Sequence, residues 1–163
     1  MEPQALIGMV RERLANLHNR ARKSILALGD EDLNWRPNDD SNSITNLVLH
    51  LAGNLHQLLE SRVGGAPDRR DREAEFEDRS PRTRDQLIQI LDDAFAMADR
   101  VLADLRPDQL DRRVEAIGRS LTLAELIFFV AVHAAEHVGQ IIYIAKLKLG
   151  ADFGTLSIPR RRA

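Results

Sequence analysis

Cysteine is absent from this chain of 163 residues, which excludes disulfides, iron–sulfur clusters, thiolate zinc sites and a cysteine nucleophile together. A chain without a disulfide framework fits the cytoplasm. An excess of one charge is also lacking, since 23 Lys+Arg face 25 Asp+Glu, so neither charge-driven disorder nor a strongly basic nucleic-acid surface is expected. Lysine is scarce beside arginine, 3 against 20, a composition bias and not a site. Long apolar runs are missing too. The greasiest stretch, 123–147, is broken by Glu125, His133, Glu136, His137 and Gln140, and its longest uninterrupted apolar run is 126–132, so it reads as a buried helix and not a membrane span. Residues 1–28 carry Arg11, Arg13, Arg20, Arg22 and Lys23, which interrupts the apolar core that a signal peptide needs. Gly64-Gly65 has no preceding strand and no GK[ST] signature, so it is a helix stop and not a phosphate loop. No serine sits in a nucleophile elbow, and no catalytic residue is nominated.

What is present is helical periodicity. At this length one core suffices, and residues 1–163 are expected to form a single domain. Leu6, Met9, Val10, Leu14, Leu17, Ala21, Ile25 and Leu28 recur at steps of three and four, which marks one face of a helix. Ile44, Leu47, Val48, Leu51, Leu55, Leu58 and Leu59 form a second stripe, capped by Ser43. Leu87, Ile88, Leu91, Ala94, Phe95, Ala98, Val101, Leu102 and Leu105 form a third. Thr122 and Glu125 make a capping box for a fourth, which runs to Lys148 and is about 40 Å long. The spacing predicts helices over about 4–28, 43–62, 82–105 and 122–149, hence an all-α four-helix bundle. Residues 68–79, with Phe76 their only large apolar side chain, read as a long charged loop able to serve as a crossover. Residues 30–37 and 110–120 read as connections, the former held to the bundle by Trp35. Arg160, Arg161 and Arg162 read as a solvated tail.

In a chain poor in aromatics the histidines stand out. His133 and His137 are i and i+4 on the longest apolar helix, which stacks two imidazoles on one face. His50, midway along the second helix, can add a third nitrogen from across the bundle. Three imidazoles leave a tetrahedral ion an open position, whereas a structural site is usually closed by four protein ligands. Asn54, Glu136 and Gln140 lie about one turn or less from these histidines and are candidates to support the ligands or position a bound water. His56 falls about 240° round from His50 and is expected to be exposed. His18 borders the first stripe as a candidate outer partner. Neutral histidines satisfied by backbone carbonyls or carboxylates remain the alternative reading.

Three segments, Leu49-His50-Leu51-Ala52-Gly53-Asn54-Leu55, Gly64-Gly65-Ala66-Pro67-Asp68-Arg69-Arg70-Asp71-Arg72 and His133-Ala134-Ala135-Glu136-His137-Val138-Gly139-Gln140-Ile141-Ile142-Tyr143, resemble in order and spacing a branch of the DinB/YfiT-like superfamily. The resemblance spans nearly the whole chain. It implies a four-helix bundle with a long crossover and a divalent metal, zinc or nickel, held by three His that map to His50, His133 and His137. Some relatives use this metal to activate a low-molecular-weight thiol, so the resemblance implies a metal-dependent thiol transferase or a hydrolase. A non-enzymatic bundle with a structural metal is the other reading. The expected partners are a small-molecule substrate and a second copy of the chain in a homodimer, with neither nucleic acid nor membrane.

Overall fold

The four apolar stripes become four long helices in the computed structural model, which describes residues 2–154. α1 spans Pro3–Leu26, α2 Asp30–Asn34, α3 Ile44–Leu55, α4 Arg72–Glu77, α5 Arg84–Asp104 and α6 Leu123–Leu149. α3 runs on directly as a π-helix over His56–Val63. Taking α3 with that extension, each long helix begins and ends within two residues of its expected bound. The run of three arginines at 160–162 lies outside the described residues.

α1 packs chiefly on α5 and α6, and α3 packs on the same two helices. The order round the bundle is therefore α1, α5, α3, α6. The connections 27–43 and 105–122 cross its diagonals, while 64–83 joins neighbours. Leu14, Leu17, Leu51, Leu55, Leu91, Leu126 and Val130 are among the buried side chains that meet at the centre. By length and apolar composition alone Leu123–Phe153 could cross a membrane, but its inner face is core. Phe128, Val132, Tyr143 and Leu147 stay exposed on its outer face.

All three connections hold more structure than periodicity alone predicts. In 30–37 a single turn of helix forms, α2, and Trp35 packs against the core with Lys148 Nζ 4.0 Å above its ring. The 105–122 connection forms a hairpin of β1, Arg113–Ala116, and β2, Arg119–Thr122, with Arg113 opposite Thr122 and Ala116 opposite Arg119. Its two-residue turn holds Ile117 and Gly118 at positive φ, 49° and 76°, as a tight hairpin requires. Ile117 is the unusual one, because a β-branched residue is strained there. The charged stretch 68–79 contains α4, capped by Asp71. α4 is tied down by Asn46, which is fully buried and donates its side-chain amide to the carbonyls of Glu75 at 2.9 Å and Asp78 at 3.1 Å.

Asn46 is held in turn by Ser43, the N-cap of its own helix. Ser43 Oγ accepts from the Asn46 backbone amide at 3.2 Å, and its hydroxyl donates to Asn46 Oδ1 at 2.6 Å. The Ser43→Ala variant is expected to lose about 1 kcal/mol of stability, and up to about 2 kcal/mol, the usual cost of a lost N-cap. A lowered urea midpoint in equilibrium denaturation, with an unchanged slope, is the measurement that checks it.

Candidate metal centre

Three imidazoles meet where α3 passes α6. His50 is buried mid-way along α3, and His133 and His137 face it from adjacent turns of α6. One nitrogen from each ring lies within 4.8 Å of the other two. His50 Nε2 and His133 Nε2 are 3.1 Å apart, close to the roughly 3.3 Å separating two ligands of a tetrahedral ion with bonds of about 2.0–2.1 Å. The rings of His133 and His137 are near perpendicular, with centroids 4.4 Å apart, so their edges and not their faces converge. Among the described residues no carboxylate joins this group.

Each ring's orientation has a cause. His50 Nδ1–H donates to Glu75 Oε2 at 2.9 Å, which leaves Nε2 with its lone pair turned inward. A carboxylate behind a ligating imidazole fixes both tautomer and angle. Glu75 is itself held by Arg70, whose Nε donates to Oε1 and whose Nη2 donates to Oε2, each at 2.7 Å. Arg70 and Glu75 side chains are only 6% and 9% exposed. Burial alone would push the Glu75 carboxyl up, but hydrogen bonds and charge from Arg70 and His50 hold it below its ordinary range. On the opposite ring, His137 Nδ1–H donates to Gln140 Oε1 at 2.8 Å, so its Nε2 too is free. His133 stacks on Phe129, with centroids 5.6 Å apart and planes 12° from parallel.

The electrostatics favour the ligating form. Burial, reinforced by the neighbouring His137, His50, Arg70 and Arg72, lowers the His133 pKa to about 4, so its ring is neutral near pH 7. His137 is lowered by burial as well, an effect that Gln140 partly opposes. Neutral imidazole is what a divalent ion requires. The donor set of three histidines therefore fits such an ion.

The six residues singled out from sequence do not all stand in one place. His50, His133, His137 and Asn54 line one cavity of about 470 Å³. Gln140 reaches His137 from the exposed side of α6. Glu136 is exposed and lies 3.9 Å from His133 Nδ1, beyond a direct hydrogen bond. His56 pairs with Glu60 on the surface, as its angular position predicts. His18 does not support the trio, because its Nε2 is committed to Asp92 at 2.6 Å and its ring to Phe95.

Sequence reasoning missed Glu75, Arg70 and Phe76, whose ring lies against that of His50, tilted by 41° with centroids 4.7 Å apart. The one signal for them was Gly53, a helix-interior glycine that costs about 1 kcal/mol relative to alanine. A Cβ at Gly53 would collide with Glu75 Oε1 and stand 3.3 Å from Arg70 Nε. The glycine is what lets the carboxylate lie against α3.

A family model described as a protein of unknown function, DUF1572, matches residues 3–162. No curated protein matches the sequence. Among solved structures, the chain is similar to a DinB-like protein, YjoA, from Bacillus subtilis, with a TM-score of 0.66 and 18% identity over 86% of this chain and 92% of that one. It is similar to a conserved protein from Enterococcus faecalis, with a TM-score of 0.73 and 18% identity over 88% and 96% of the two chains. A DinB-like protein from Bacillus cereus follows with 0.66 and 12% over 82% and 87%. At these identities the likeness shows the fold.

Proposed function

The chain belongs to the DUF1572 family, and on that footing we propose that it is a divalent-metal-dependent enzyme in which His50, His133 and His137 hold the ion. The observation that carries this reading is three converging imidazoles with no fourth ligand among the described residues, set in the wall of a cavity. Held by three neutral ligands with a position open, zinc or nickel lowers the pKa of a bound thiol or water, for transfer or for hydrolysis respectively. A low-molecular-weight thiol suits a chain that carries no cysteine of its own.

The chain's own groups then have definite tasks. Glu75, locked by Arg70, turns His50 Nε2 toward the cavity. Gln140 does the same for His137 from outside the bundle. Asn54, buried one turn from His50, presents an amide in the cavity wall. Phe76 and Phe129 cover the imidazoles of His50 and His133.

Elemental analysis of untagged protein is expected to find a stoichiometric divalent ion, which chelation removes without melting the bundle, because apolar packing carries most helix stability. A screen of thiols with electrophilic substrates should then show turnover that chelation abolishes. If chelation unfolds the protein, the ion is structural, and the enzyme reading fails.

A further inference from the structure

We infer that the cavity over the three histidines binds an organic anion with an apolar body, its oxyanion meeting Arg62 and Arg72 while the body lies on Phe129 and Ile117. This inference builds on the reading of the cavity as the substrate side of the metal centre. The cavity, at about 470 Å³, falls in the range of small-molecule sites. Its walls contain Arg62, Arg70 and Arg72 and no Asp or Glu.

The three guanidiniums are not equivalent. Arg70 is already neutralised, with Glu75 receiving two of its bonds. Arg62 spends Nη2 on Asp68 at 3.0 Å, but its Nε is buried and has no hydrogen-bond partner among the described residues. A buried donor left unmade costs free energy, and a small turn of the Arg62 side chain, which is 38% exposed, would bring the guanidinium onto a ligand oxygen. Arg72 is more open. Its guanidinium lies 4.9 Å over the Phe76 ring, and the Glu73 carboxylate 3.5 Å away is itself well exposed.

Two backbone irregularities bring these walls together. On an unbroken α-helix Arg62 would stand about 120° round from His50, at 100° per residue. The π-helix over His56–Val63 advances less per residue because each hydrogen bond spans one more residue, and Arg62 comes to line the same cavity as His50. Such segments recur at functional sites. The second irregularity is Ile117, a β-branched residue at positive φ that is 45% exposed and lines this cavity. Strain of that kind persists where the surroundings enforce it, and here it holds an apolar side chain beside the arginines.

The test is calorimetric titration with 3-phenylpropionate and its neutral isostere 3-phenylpropanamide. It is decisive in metal-free protein, where the carboxylate cannot simply bind the ion. The acid should bind about tenfold or more tightly than the amide, the worth of a charge-assisted hydrogen bond. Arg62→Gln and Arg72→Gln should each shrink that preference, and the double variant should erase it with its helical spectrum intact. Equal affinities in the native protein, no binding of either probe, or a preference that survives the double substitution would overturn the inference. Zinc stoichiometry measured in parallel separates the two readings. A protein that binds no zinc refutes the three-histidine centre, while the acid–amide comparison in metal-free protein still decides the anion site.

Discussion

The His133→Ala protein should purify without a stoichiometric divalent ion and keep its helical circular-dichroism spectrum. Its ring supplies the nitrogen 3.1 Å from His50 Nε2, and no carboxylate among the described residues stands ready to replace it. Glu75 is committed to Arg70 and His50. Losing an outer partner of a metal ligand costs about 10–100-fold in affinity, and losing the ligand itself should cost well beyond that. The fold should survive because α6 is anchored by Val130, Ala134, Val138 and Ile141, all buried on its inner face, whereas His133 is only partly buried. Trimming its ring from Phe129 should cost about 1 kcal/mol, the ordinary scale of single substitutions. Elemental analysis and denaturation of the same preparation check both halves. An alanine variant that retains the ion at native affinity would remove His133 from the centre.

How much of this was legible in the sequence depends on whether a residue's role follows from its own helix. The four long helices are periodic over many turns, so their faces and ends follow from spacing, and His133 and His137 follow from the i, i+4 rule. His50 could be placed mid-helix on the right side because its stripe is regular up to Leu55. Beyond that the stripe misleads. The same apolar spacing continues through Leu58 and Leu59, and nothing in residue type marks the change to a π-helix. The hairpin was hidden by strands of four residues each, too short for alternation to register. Glu75 and Arg70 were hidden by composition. A stretch this rich in charge reads as solvated loop, yet these two neutralise each other inside the space that Gly53 leaves, which is a pairing between elements and not a property of either.

That pairing makes Glu75→Ala a strongly destabilising substitution. Removing the carboxylate leaves the Arg70 guanidinium buried with Gln57 Oε1, 2.9 Å from Nη1, and His50 Nδ1, 3.1 Å from Nη2, as its remaining neutral partners. Breaking a buried ion pair from one side costs about 3–5 kcal/mol, a large share of the stability of a domain this size. His50 Nδ1–H loses its acceptor in the same stroke, so the ring is no longer held with Nε2 inward, and metal affinity should fall about 10–100-fold. The two consequences can be separated. In the Arg70→Ala/Glu75→Ala double variant no charge is stranded, and most of the stability should return, since removing both members of a buried pair is far cheaper than removing one. Metal affinity should not return with it, because His50 still lacks its carboxylate. Urea denaturation read beside metal titration resolves the two. A double variant as unstable as the single one would mean that α4 is held by these side chains for their shape and not their charge. Native metal affinity in Glu75→Ala would mean that α3 alone orients His50.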